Sequence, residues 1–245
     1  MREPQLSGQT VVVIGGSAGI GYETARLART EGAEIVLTGR DPDRLARAAT
    51  GLGAAGSAAF DATDTDALSG FFAGLAAPID HVLVTAGRPY YAKLADLDRD
   101  RARRTFEEHE WLAVAVSQLA AGRVRPGGTL IFMGGTGGRK RGLGLSMIGA
   151  GTAALPALIA NLALEIAPIR VNLIAAGFVD TPLSASLLGD DLEARRYELR
   201  STLPIRRVVG PEDIAALAVH LMTNTAMTGG TYDIDGGQQL VAFTT

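Results

Sequence analysis

The sequence predicts a single α/β domain built on a doubly wound parallel sheet with helices on both faces. Three observations carry this expectation. Short apolar runs rich in β-branched residues alternate with Ala-rich amphipathic stretches from end to end. The first of those runs leads into a glycine-rich turn. No linker, repeat or low-complexity tract interrupts the 245 residues, so 1–245 reads as one domain.

Each element has its own warrant. Thr10–Ile14 (TVVVI) is a buried strand by length, β-branching and its glycine-rich exit. Gly21 to Glu31 follows as a helix with Ala25, Leu27 and Ala28 on one face. Glu34–Thr38 is the second strand, and Asp41 as N-cap with Pro42 at the first helical position opens a helix to Ala49. Ala58–Phe60 and His81–Val84 read as strands three and four, separated by a helix from Asp64 to Leu75. One long helix is expected from Arg99 to Ala121, stopped by Gly122 and Pro126. Thr129–Met133, Val171–Ala175 and Thr231–Ile234 complete the strands. Between the fifth and sixth, Gly149, Gly151 and Pro156 predict a helix that begins late or kinks, with Thr152 as its N-cap.

Composition narrows the function classes. The chain carries 26 acidic and 23 basic residues for a formal charge of −3, which argues against a nucleic-acid partner. With no Cys there is no disulfide, thiolate metal site or thiol nucleophile, and the scattered His81, His109 and His220 do not form a metal motif. Met1–Leu6 shows no signal pattern, and no apolar run is expected to reach the roughly 18 residues of a membrane span. A cytoplasmic chain with no membrane partner is the resulting expectation. Of the 23 basic residues only Lys93 and Lys140 are lysines.

The turn after the first strand is Gly15-Gly16-Ser17-Ala18-Gly19-Ile20-Gly21, a G-x-x-x-G-x-G spacing. A helix N-terminus offers free N–H groups and a positive dipole end, and glycines let a pyrophosphate approach the backbone. The plain alternative is a tight turn with no ligand. The second strand ends in Thr38-Gly39-Arg40, where dinucleotide folds place an acid on the ribose about 20 residues past the glycines. Gly39 replaces that acid and Arg40 follows, a guanidinium suited to a 2′-phosphate, with the Ser17 hydroxyl as a second contact. NADP(H) is therefore favoured over NAD(H), against the alternative of a solvated arginine.

Beyond these motifs the chain resembles the short-chain dehydrogenase/reductase family, whose fold is Rossmann-type. Phe60-Asp61-Ala62 is similar to the family's third-strand exit, whose Asp contacts adenine. Asp80 to Gly87 (DHVLVTAG) resembles its fourth-strand motif, which usually ends Asn-Asn-Ala-Gly. Arg170-Val171-Asn172 with Ala176 to Thr181 (AGFVDT) resembles the sixth-strand segment whose Thr meets the nicotinamide amide. Pro204–Ala215 and Thr228–Gly237 match the C-terminal signatures. The resemblance implies cofactor contacts from Gly15, Ser17, Gly19, Ile20, Gly21, Arg40, Asp61, Ala62, Ala86, Gly87, Gly177, Val179 and Thr181. It also implies a substrate lid over 182–203 and a homodimer or homotetramer associated through the long helices.

The acid–base motif departs from that pattern. Family enzymes pair Tyr with a Lys four positions on, preceded by a Ser, and the cation lowers the phenol's pKa from about 10. The register fixed by Ala153-Ala154-Leu155 puts Gly135 at the Ser position, Ile148 at the Tyr position and Thr152 at the Lys position. His109 falls on the position of a fourth catalytic residue, an Asn. No Tyr occurs between Trp111 and Tyr197 and no Lys after Lys140, so realignment within this segment restores nothing. His109 is the candidate proton donor, or else a structural imidazole. Ser146 and Thr152 lie nearby but lack an activator. Tyr90 and Tyr91 line a substrate pocket or cover a loop; Arg139-Lys140-Arg141 binds an acidic substrate or forms a solvated turn. Trp111 reads as a packing or subunit-contact residue. Two functions follow: an NADP(H)-dependent oxidoreductase acting on an unidentified small molecule by a non-standard site, or a catalytically silent nucleotide binder acting through complex formation or redox sensing.

Overall fold

The computed structural model describes residues 3, 5–76, 78–139 and 141–241. Seven strands form one parallel sheet in the order β3-β2-β1-β4-β5-β6-β7. They are β1 (Thr10–Ile14), β2 (Glu34–Gly39), β3 (Gly56–Ala59), β4 (Ile79–Val84), β5 (Val124–Gly135), β6 (Arg170–Ala176) and β7 (Thr231–Ile234). The β-branched runs are buried on both sides, as parallel strands under two helix layers must be: Val11 to Ile14 and Ile79 to Val84 have no exposed member. On one face Leu68, Phe72, Val116, Leu155 and Ile159 pack against Val12, Val82 and Leu130. On the other, Ala25, Ala28, Leu45, Ile214 and Leu221 pack against Val11, Val13, Leu83 and Ile131.

The helices are α1 (Gly19–Thr30), α2 (Pro42–Leu52), α3 (Thr65–Gly74), α4 (Arg99–Phe106), α5 (Leu112–Ala120), α6 (Ser146–Glu165), α7 (Pro182–Leu188), α8 (Leu192–Thr202) and α9 (Pro211–Thr223). Asp41 caps α2 by accepting from the Arg44 N–H at 2.9 Å, and Gly53 ends that helix in the left-handed conformation. The buried Arg170 guanidinium satisfies carbonyls at the end of α9, donating to Leu221, Met222 and Asn224 at 2.8–3.1 Å. This one cation fastens the C-terminal segment to β6.

Three expectations are corrected. The long helix from Arg99 to Ala121 is interrupted by a π turn at Glu107–Trp111 between α4 and α5. The helix after β5 does not begin late: α6 starts at Ser146, places Thr152 inside its second turn, and carries Pro156 in its interior. Intrinsic propensity loses here to packing, because Ile148, Gly151, Leu155, Ile159 and Leu162 are all buried. Finally, α6 is long and apolar enough, by length and composition, to cross a membrane. Its buried stripe faces the core shared with β4 and β5 and makes up 39% of that apolar window.

Candidate active site

Strand order reverses between β1 and β4, and the crevice at their carboxyl ends is the place where such sheets bind ligands. The glycine turn closes its floor. Gly15 has φ +99°, and a Cβ there would stand 2.7 Å from the Ala86 N and the Thr85 Oγ1. A Cβ on Gly21 would lie 2.3 Å from the Gly15 carbonyl. These glycines therefore have a packing reason to exist, and they also leave the backbone bare toward the crevice. Ala18, the N-cap of α1, makes no side-chain cap, so the N–H groups of Gly19, Ile20 and Gly21 open the helix without an internal acceptor. Across from them, Thr181 lies 3.5 Å from where a Cβ on Gly19 would be.

At the other end of the crevice a Cβ on Gly39 would approach the Ser17 Oγ to 3.1 Å, which sets Ser17 beside the exposed Arg40. Asp61 is the third member. Partial burial opposes its ionisation, but the Thr63 N–H and hydroxyl at 3.0 and 2.8 Å prevail, with Arg40 and Arg104 nearby, and hold its carboxyl below the usual range. Ala62 is buried in the core behind it. The chemistry of this set fits a phosphorylated dinucleotide: bare glycines and free N–H groups for a pyrophosphate, and a guanidinium with a hydroxyl for a 2′-phosphate. Gly177 and Val179 reach the site indirectly. A Cβ on Gly177 would strike Asp235 and Gln238 at 2.6 Å, while Val179 forms a bridge with Val209 that anchors the segment leading to Thr181.

The three positions to which the sequence register assigns the family's Ser, Tyr and Lys lie close together. The Thr152 Cγ2 is 3.4 Å from where a Cβ on Gly135 would be, Ile148 is buried, and the Thr152 hydroxyl donates back to the Ile148 carbonyl at 2.8 Å. Ser146 is exposed at the first position of α6. His109 sits on the π turn with its Nδ1–H donated to the Thr105 carbonyl at 2.7 Å. That leaves Nε2 as an acceptor, 3.1 Å from where a Cβ on Gly87 would stand, at the exit of β4. Gly87 itself has φ +131°.

The remaining candidates are sorted by their contacts. The Tyr90 hydroxyl accepts from the Asp98 N–H at 3.0 Å and its ring lies under Arg101, so it clamps the loop after β4 onto α4. It also lines a cleft of about 270 Å³ with Arg88, Arg104 and Glu108. Tyr91 is exposed. Arg139 is not a free basic group: it pairs with Asp233 and donates to Gln239, tying the loop after β5 to the C-terminal segment. Lys140 lies outside the described residues. The 182–203 segment, expected as a lid, is helical, α7 followed by α8, with Leu199 and Leu203 buried and Arg196 forked onto Asp180 at 2.9 and 2.7 Å. The Arg88 guanidinium reaches across to Ser186 at 2.9 Å, joining α7 to the segment after β4.

Glu110 was not among the residues singled out from the sequence. Both of its carboxyl oxygens are shut away from solvent without a hydrogen-bond partner. Burial lifts its pKa above the ordinary carboxylate value, against the smaller opposing effects of its own N–H and of His109. Its position directly after His109 in a Glu-rich stretch was visible; the π turn that buries it was not.

Comparison with known proteins agrees with this geometry. The family described as enoyl-(acyl carrier protein) reductase matches residues 15–239. The short-chain dehydrogenase/reductase ATR9 of Stachybotrys chlorohalonatus is 28% identical, covering 96% of this chain and 98% of that one. The structure of the MalC reductase/Diels-Alderase from Malbranchea aurantiaca superimposes with a TM-score of 0.90 at 25% identity, over 98% of this chain and 99% of its own. BdcA in complex with NADPH superimposes with a TM-score of 0.84 at 28% identity, over 95% of each chain. With the crevice, the glycine turn and the strand order all in place, the chain belongs to the short-chain dehydrogenase/reductase family of oxidoreductases.

Proposed function

We propose that the protein binds NADP(H) in the crevice between β1 and β4 and is an oxidoreductase acting on a carbonyl, alcohol or enone through a non-standard site. The observation that carries this reading is the pairing of an uncapped α1 N-terminus among close-packed glycines with Ser17 and Arg40 at the end of β2. Gly15 and the N–H groups of Gly19, Ile20 and Gly21 hold the pyrophosphate; Ser17 and Arg40 take the 2′-phosphate; Asp61 and Ala62 border the adenine. Ala86, Gly87, Val179 and Thr181 frame the nicotinamide end, with Gly177 supporting that segment. When bound, the nicotinamide exchanges hydride with the substrate.

His109 handles the proton at that end. Its Nδ1–H is fixed on Thr105, so Nε2 is the atom available to give or take a proton. Hydride transfer depends chiefly on placement, and loss of one proton-transferring group typically costs about 10²–10⁴-fold. The reaction therefore survives substitution of the Tyr/Lys pair at a reduced rate. A second reading is favoured by Gly135, Ile148 and Thr152 themselves: a silent relative that binds the nucleotide and signals through complex formation. In either case the chain works in the cytoplasm as a homodimer or homotetramer.

The experiment is NADPH oxidation against a panel of carbonyls and enones, run beside calorimetric binding of NADP⁺ and NAD⁺. Turnover with tighter NADP⁺ binding is the expected result. Binding without any turnover leaves the silent reading standing, and no binding removes both.

A further inference from the structure

The cleft of about 270 Å³ runs between the segment after β4 and one face of α4. Arg88 lines it from the first wall, and Arg101 and Arg104, three positions apart on the helix, line it from the second. Among the described residues none of these three guanidiniums has an acid within ion-pair distance. The Arg88 side chain donates to a neutral hydroxyl, that of Ser186, at 2.9 Å. Arg101 lies over the Tyr90 ring, 4.5 Å from its centroid. The charge of Arg104 reaches the Asp61 carboxyl without forming an ion pair. The two acids of the cleft are engaged by other groups: Asp100 pairs with Arg103 at 3.2 Å, and Glu108 accepts from the Arg88 backbone N–H at 2.7 Å. Three guanidiniums thus meet two carboxylates here, in a chain whose net charge is −3. The cleft also adjoins the crevice. Arg88 directly follows Gly87, beside which His109 Nε2 stands, and the wall residue Thr105 holds the same imidazole.

Resting on the oxidoreductase reading, we propose that this cleft is a substrate subsite for an oxyanion, a carboxylate or phosphate carried by the compound that is reduced or oxidised. A guanidinium offers one oxyanion two parallel N–H bonds, and charge-assisted bonds are about twice as strong as neutral ones. An oxyanion in the cleft therefore displaces the Ser186 hydroxyl as the acceptor for Arg88 and gives Arg104 a charged partner. Arg101 is already placed, because the Tyr90 hydroxyl beneath it is fixed by the Asp98 N–H at 3.0 Å. Like charges on facing walls repel one another until a counter-charge enters between them. The volume lies just under the range of pockets that take a drug-sized ligand, which suits an oxyanion on a short chain.

Binding is read first, without turnover. Inorganic phosphate and butyrate are titrated into the full-length protein with NADP⁺ present, at constant ionic strength because the arginines are exposed. At least one of the two should raise Tm by mass action, and which one does so separates a phosphate from a carboxylate substrate. Arg104→Gln and Arg88→Gln should each weaken the apparent anion affinity about tenfold. Arg99→Gln removes the same charge from α4 outside the cleft and should leave that affinity unchanged. No rise with either anion overturns the proposal, and so does a rise that Arg104→Gln and Arg88→Gln leave intact. Turnover is read second, with levulinate beside methyl levulinate and dihydroxyacetone phosphate beside dihydroxyacetone. At least one anionic member should show a KM about tenfold below its neutral counterpart, and Arg104→Gln should remove that difference. Equal KM values within both pairs in the wild-type chain overturn the proposal. Absence of turnover with any compound defeats the oxidoreductase reading instead, and the anion titration still decides the cleft.

Discussion

Arg40 concentrates the residue-scale argument. A guanidinium hydrogen-bonded to a phosphate is worth about 1.5–3 kcal/mol, roughly 10–100-fold in affinity, while NAD⁺ offers it no 2′-phosphate. Arg40→Ala should therefore weaken NADP⁺ by that factor in calorimetry and change NAD⁺ little; an equal loss for both removes the assignment. Glu110 supports a prediction about stability. Its carboxyl is raised in the folded chain above the 4.5 it has when free, so the folded state binds more protons between those two values. Stability supplied by the neutral acid is full below that lower value, declines as pH rises through the folded pKa and is flat above. The loss in Tm across that window should be smaller in Glu110→Gln than in wild type. Gly15 was legible from sequence because its positive φ and close approach to Thr85 and Ala86 dictate its type. Glu110 was not, because its importance comes from burial against Gly151, more than forty positions away.

Elements were legible where local chemistry decides them. Asp64 accepts from the Asp66 and Ala67 N–H groups at 3.1 and 3.0 Å and opens α3 where an N-cap is expected. Asp64→Ala should cost about 1 kcal/mol in denaturant unfolding. They were illegible where packing overrides propensity. Gly149, Gly151 and Pro156 all count against a helix, yet α6 runs for 20 residues because one face is buried along its length. The same burial constrains any attempt to restore the family's dyad. Ile148 is 6% exposed, so Ile148→Tyr forces a larger, polar side chain into a filled site and should cost about 1–3 kcal/mol. A folded but destabilised Ile148→Tyr/Thr152→Lys variant is the expected outcome, measured as a lowered Tm.

For the whole molecule, the strand order follows from right-handed crossovers between consecutive parallel strands, a rule that limits how alternating strands and helices can be arranged. The outward face of α6 lies outside the domain's own core. Ala153, Ala157, Asn161 and Leu164 recur at helical spacing on the exposed side of α6, with Leu164 79% exposed. Trp111, on the neighbouring π turn, is 67% exposed. An aromatic residue buries about 150–250 Å² when fully covered, and at about 25 cal/mol per Å² the exposed two-thirds of Trp111 corresponds to roughly 3 kcal/mol for each copy covered. In a two-fold pair that contribution counts twice, which makes this face the expected seat of self-association. Trp111→Ala with Leu164→Asp should remove the apolar contact and bury a charge at its centre. Light scattering at micromolar concentration should then report a smaller species than wild type, with the far-ultraviolet spectrum unchanged. If the mass is the same in both proteins, the helices do not carry the assembly.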